Sequence, residues 1–103
     1  MRVEITQLDE LPRDRGVRVT IGENRIAMFR IGDEVYAIAD RCSHAEASLA
    51  EGEVWDMTVE CPRHGSEFDL RTGEPGALPA TVPVPVYPVS IEDGIVYLEL
   101  ENA

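Results

Sequence analysis

Both cysteines and both histidines of the chain fall in two short segments, Cys42-Ser43-His44 and Cys61-Pro62-Arg63-His64, with sixteen residues between them. A thiolate and an imidazole one or two residues apart on a turn can point at a common centre. Two such turns can close on a metal site from opposite sides. A single ion there makes a four-coordinate Cys2His2 site of the zinc type. The other possibility is two irons bridged by two sulfides, with both thiolates on one iron and both imidazoles on the second. Ligand type leaves both open, but spacing favours iron. Structural zinc usually draws its pairs from wider knuckles such as Cys-x2-Cys or His-x3-His, and Cys-x-His followed by Cys-x2-His is unusual for it. A Cys42 to Cys61 disulfide would account for the thiols and leave both histidines unexplained.

The elements that position these residues read as β structure. Apolar and polar residues alternate along most of the chain, punctuated by Gly, Asp and Asn. Strands are expected over Val3 to Gln7, Val17 to Ile21, Arg25 to Ile31 and Glu34 to Ala39, with turns at Gly22-Glu23-Asn24 and Gly32-Asp33. A last hairpin, Val86 to Glu92 and Ile95 to Leu100, flanks Asp93-Gly94. Between lie shorter strands, Glu53 to Val54, Thr58 to Glu60 and Glu67 to Leu70, and a Pro-rich extended stretch from Pro75 to Pro88. Ala45 to Glu51 could form one helical turn, and no segment keeps a helical period over three turns. The expected fold class is all-β, an antiparallel sandwich or partly open barrel. Residues 1–103 are expected to form one domain, with 1–39 and 86–103 as framework and 40–85 as a small inserted metal-binding subdomain.

The chain of 103 residues is long enough for one core without disulfide staples. Its 20 acidic residues against 9 basic ones give a formal charge of −11, which repels nucleic acid and anionic membranes. Charges interrupt the N-terminal stretch where a signal peptide needs apolar residues, and no segment is long enough to span a bilayer. A cytoplasmic protein is expected, in which two cysteines serve as ligands or reactive thiols rather than as a structural disulfide.

The two segments extend into Cys-Ser-His-Ala-Glu-Ala-Ser-Leu-Ala-Glu-Gly-Glu-Val and Cys-Pro-Arg-His-Gly-Ser-Glu-Phe-Asp-Leu-Arg-Thr-Gly. These resemble the two cluster-binding boxes of Rieske ferredoxins, most closely the ferredoxin components of bacterial aromatic-ring dioxygenase systems. Flanking strands, a Pro-rich loop after the second box and a final hairpin are also traits of that family. The resemblance implies one 2Fe-2S cluster, with Cys42 and Cys61 on one iron and His44 and His64 on the other. It implies that the imidazoles bind through Nδ1, leaving Nε2 near the surface as the electron exit. Gly65, Ser66 and Arg63 are expected to surround the ligands, and Pro79, Pro83 and Pro85 to shield the inner side.

Departures from the wider family bear on the potential. Ala47 and Arg63 stand where the high-potential respiratory class carries two further cysteines, so no disulfide braces the boxes. Ser66 matches a hydroxyl that donates to a cluster sulfur in that class, and Phe68 replaces a second donor, a tyrosine. Hydrogen bonds to the sulfurs favour the reduced state, so a potential near the low end of the Rieske range is expected, on the order of −150 mV. Arg41 and Arg63 act in the opposite sense.

The implied function is that of a one-electron carrier between a ferredoxin reductase and a terminal oxygenase, monomeric and not itself an enzyme. Glu46, Glu51, Glu53, Asp56 and Glu60 would supply an acidic field that steers docking. An alternative is a Rieske-like small subunit of a larger reductase, such as assimilatory nitrite reductase, or a ferredoxin attached to iron-sulfur assembly. A Rieske oxygenase is disfavoured because its mononuclear iron needs two more histidines. Trp55, Tyr36, Tyr87, Tyr97 and Phe29 are expected to be packing residues.

Overall fold

Alternation along β3 explains the architecture. In the computed structural model, which describes residues 1–42, 47–63, 65–76 and 82–100, this strand (Asn24–Ile31) has five consecutive buried residues, Ile26 to Arg30. A strand buried on both faces needs a layer on each side. Ile26 and Met28 point into one apolar cluster with Val35, Ala37, Val96 and Leu98. Ala27 and Phe29 point into the other, with Ile38, Leu49, Val59, Phe68, Cys42 and Cys61.

Among the described residues three antiparallel sheets provide the layers. The central one has the order β2-β3-β4-β8, formed by β2 (Gly16–Ile21), β3, β4 (Glu34–Ala39) and β8 (Val86–Tyr87). On one side lies the sheet β1-β10-β9, from β1 (Arg2–Gln7), β9 (Val89–Glu92) and β10 (Ile95–Glu99). The third sheet, β5-β6-β7, combines β5 (Glu53–Trp55), β6 (Thr58–Glu60) and β7 (Glu67–Asp69). Its inward residues Val59 and Phe68 are fully buried, and complete burial of a phenylalanine is worth roughly 2–3 kcal/mol.

The all-β, antiparallel reading holds, and β4 and β6 match their expected limits. Two details differ. Val86 to Glu92 is broken at Pro88, which cannot donate to a ladder, so β8 joins β4 while β9 joins β10. Asn24 pairs with Ile21, so that turn is two residues long. Asp93 and Gly94 both have positive φ (51° and 76°), as a two-residue hairpin turn of the expected kind requires. Short 3-10 turns occupy Leu8–Glu10, which sequence periodicity did not reveal, and Leu49–Glu51.

Candidate metal centre

The two cysteines open two loops closed in the same way. Arg41 bridges Ser48, and one step inward the Cys42 amide donates to the Ala47 carbonyl at 3.1 Å. Glu60 pairs with Glu67 at the end of the β6–β7 ladder, and one step inward the Cys61 amide donates to the Ser66 carbonyl at 2.7 Å. Each loop therefore spans six residues, begins with its cysteine and carries its histidine inside, His44 in one and His64 in the other. The second loop is tightened by the Gly65 amide, which donates to the Cys61 carbonyl at 3.0 Å.

Both thiol side chains belong to the same apolar core, Cys42 2% and Cys61 1% exposed. His44 and His64 lie outside the described residues, as do Ser43, Ala45, Glu46 and Pro79. Among the described residues no group of three His, Cys, Asp or Glu side chains is placed to hold a metal. Ser66 is fully buried beside the second loop, as is Phe68, whereas Arg41 and Arg63 are exposed and Gly65 is half-buried with φ of 74°.

Asp40 anchors the first loop. It is fully buried at the end of β4, and its Oδ1 accepts from the Ser48 hydroxyl at 2.8 Å and the Ala50 amide at 2.9 Å. Its carbonyl accepts from Leu49, and its amide donates to the Arg25 carbonyl. Oδ2 makes no hydrogen bond and faces Arg25 at 3.7 Å and Arg18 at 4.0 Å. A buried carboxylate left without such counter-charge would be strongly destabilising.

The second loop is located by a close approach. A Cβ on Gly52 would stand 2.0 Å from the carbonyl oxygen of Glu60, the residue before Cys61. Beyond β7 the chain turns back, with Phe68 bridging Pro75 and the Gly76 amide donating to Glu67. Asp69 holds that turn: Oδ1 accepts from the Arg71 amide at 2.7 Å, and Oδ2 from the Arg71 guanidinium at 3.0 Å. These bonds to Arg71 hold the Asp69 carboxyl below its ordinary value despite partial burial. The same turn receives the Pro-rich strap, since the Val84 amide donates to Gly73 at 2.9 Å and the Pro85 carbonyl accepts from Ala39. Gly73, with φ of 76°, lets the Val84 carbonyl oxygen lie 2.1 Å from where a Cβ would be.

Charge is unevenly distributed around the loops. Arg18, Arg25 and Arg41 line a pocket of about 170 Å³ with Ser48 and Glu51 on the first-loop side. Glu53, Asp56 and Glu60 sit on the β5–β6 hairpin beside the second loop. Trp55 corrects an expectation: it is not a packing residue but 80% exposed, because it shares the outward side of its strand with Glu53. Phe29 is fully buried, while Tyr36 and Tyr87 are partly buried against the two cores. Tyr97 is partly buried too and carries the Arg2 guanidinium 3.8 Å above its ring. Asp40 and Gly52 escaped the sequence reading; an acidic residue closing the apolar run of β4 was the available signal for the first.

Residues 1–88 match the family model of the Rieske [2Fe-2S] domain. The chain belongs to this family. As a Rieske protein, it is 49% identical over 87 residues to the anthranilate 1,2-dioxygenase ferredoxin subunit of Burkholderia cepacia, covering 84% of this chain and 81% of that one. The Rieske chain also superposes on the ferredoxin of carbazole 1,9a-dioxygenase from Nocardioides aromaticivorans IC177. The TM-score is 0.92 at 36% identity, covering 98% of this chain and 99% of that one. A further solved structure, a complex of reduced oxygenase and oxidised ferredoxin in carbazole 1,9a-dioxygenase, matches with a TM-score of 0.89 at 36% identity, over 94% of this chain and 100% of the other.

Proposed function

We propose that this chain is the Rieske ferredoxin of a dioxygenase system, an electron-transfer component that delivers single electrons to a terminal oxygenase. Its cofactor is one Rieske 2Fe-2S cluster. When bound, the cluster supplies a one-electron couple. The observation that carries the reading is the pair of six-residue loops, each opened by a buried cysteine and each containing a histidine. In the proposed ligand set Cys42 and Cys61 hold one iron, and His44 and His64 the other.

The surroundings fit such a group. Two ferric ions, two sulfides and two thiolates sum to zero charge, and a neutral group is compatible with the apolar core around Cys42 and Cys61. Leu49, Val59, Phe68 and Val84 exclude water from the thiolate side. Ser66 is the proposed hydroxyl donor to a cluster sulfur, with Gly65 and Arg63 around the second loop. Reduction adds a negative charge to a chain already at −11, which supports a low potential.

The same proposal includes a single domain over 1–103 with 40–85 as its metal-binding part, a ferredoxin reductase as donor, and a monomer in the cytoplasm. Acidic side chains would steer docking on partners. No helix among the described residues is long and apolar enough to cross a membrane.

The test is the low-temperature EPR spectrum of the dithionite-reduced protein, with iron, sulfide and zinc analysis. A rhombic signal of low average g with two irons and two sulfides is expected; an EPR-silent zinc protein would overturn the reading. Stable co-purification with a large reductase subunit would replace the free carrier by the subunit alternative.

A further inference from the structure

The outer side of the β5-β6-β7 sheet carries an arrangement that folding alone does not reward. Glu53 pairs directly with Glu60, and Glu60 with Glu67, so three carboxylates form one row across three strands. The next outward row is Trp55, Thr58 and Asp69. Like charges directly opposite one another destabilise a sheet. Among the described residues none of the three glutamates forms an ion pair that would relieve this. At the end of the row stands Trp55, the single tryptophan of the chain and 80% exposed. Its place is fixed by the Asp56 turn, at φ of 59°, and by the Thr58 hydroxyl, which donates to the Trp55 carbonyl at 2.7 Å.

Glu53, Val54, Trp55, Thr58, Glu60 and Glu67 together line a cleft of about 140 Å³. An indole face beside carboxylates is matched to a guanidinium, which stacks on the ring and donates to the oxygens at once. We propose that this cleft receives an arginine side chain projecting from the basic docking surface of the electron-accepting oxygenase, with Trp55 as the anchor. The inference rests on the carrier reading above and deepens it.

Two observations select this occupant. Glu60 immediately precedes Cys61, and its Oε1 lies where a Cβ on Gly65 would be 3.4 Å away, so the row adjoins the second cysteine loop. A partner held here is held beside the proposed electron exit. The sign of the charge change selects the acceptor over the donor. The reduced carrier has one more negative charge, so a cationic partner binds it more tightly and releases it once the electron has left. A donor needs the opposite order.

The test uses the loaded protein with 5-fluorotryptophan at Trp55, whose single 19F resonance is followed during titration with purified oxygenase, alongside single-turnover electron transfer. The resonance should move with oxygenase, and Trp55→Ala should weaken binding by roughly tenfold or more while Trp55→Phe restores most of it. Replacing Glu53, Glu60 and Glu67 by Gln should flatten the ionic-strength dependence of the transfer rate. The EPR spectrum should be unchanged in all variants and the potential unchanged in the Trp55 variants, because none replaces a ligand, whereas loss of the three carboxylates should move the potential upward only. Full-rate transfer with an unmoved resonance overturns the inference and leaves the carrier reading intact; a missing Rieske signal overturns both. A resonance that moves with reductase alone, or with protein concentration alone, assigns the cleft to the donor or to a second copy and also overturns it.

Discussion

Asp40 and Ser48 face each other across the base of the first cysteine loop, the Ser48 hydroxyl donating to Asp40 Oδ1 at 2.8 Å with both residues buried. Together with the Ala50 amide this makes one carboxylate the clasp of the segment that begins at Cys42. Asp40→Ala removes the clasp and leaves Arg18 and Arg25 without their counter-charge. A loss of about 2–4 kcal/mol is expected, with faster cluster bleaching. Asp40→Asn keeps an acceptor for Ser48 and should lose less. Thermal melts and the decay of visible absorbance distinguish the two; equal behaviour of Ala and Asn would show that the clasp is unimportant.

Gly52 should be irreplaceable for a different reason. A methyl group there meets backbone, the Glu60 carbonyl at 2.0 Å, which cannot swing aside as a side chain can. Gly52→Ala is expected to cost about 3 kcal/mol and to lower cluster occupancy, since the displaced residue leads into Cys61. Iron content per protein is the readout, and full occupancy with an unchanged melting temperature would refute the argument.

Phe68 offers a test of the expected low potential. Its ring is fully buried in the core that contains both cysteines, at the position where a tyrosine donor is found in higher-potential relatives by resemblance. Phe68→Tyr should raise the midpoint by roughly 20–65 mV, the one-electron equivalent of a hydrogen bond of about 0.5–1.5 kcal/mol. Protein-film voltammetry measures it, and a fall in potential would remove hydrogen bonding from the explanation.

Asp69 gives the acid limb of stability a specific source. Hydrogen bonds from Arg71 hold its carboxyl below the ordinary value of 3.8, so the folded state binds this proton more weakly than the unfolded chain. The contribution is complete above that ordinary value and is lost as pH falls through the lowered one. Asp69→Asn should therefore lower stability at neutral pH, by about 1 kcal/mol, and converge with the wild type on acidification. Melting curves between about pH 6 and about pH 3 decide it; a constant gap across that range would exclude Asp69 as the group.

Much of this arrangement could be read from residue order. Alternation located β4 and β6, and Asp93-Gly94 marked the last hairpin, because strand period and turn chemistry are local. The cysteines and histidines announced a metal site because two loops each had to supply one of both. Trp55 was misjudged because hydrophobicity is a poor guide on a three-residue strand whose exposed side is set by packing of Val59 and Phe68 next door. The glutamate row required register across three strands, and Glu67 lies on the far side of the second loop in sequence. For Asp40 the sequence offered only an acid at the end of an apolar run, and its clasping role needed Ser48 and Ala50 to fold back onto it.

From Ile26 to Arg30, β3 has no solvent side: Met28 looks into one core and Phe29 into the other. The strand is thus a party wall, and damage on the far side cannot be confined there. A cavity cut at Met28 would loosen the wall on which Phe29 leans, and behind Phe29 lie both cysteines. The colour of the loaded protein would therefore be a gauge of framework integrity, fading with lesions in a layer that holds neither cysteine.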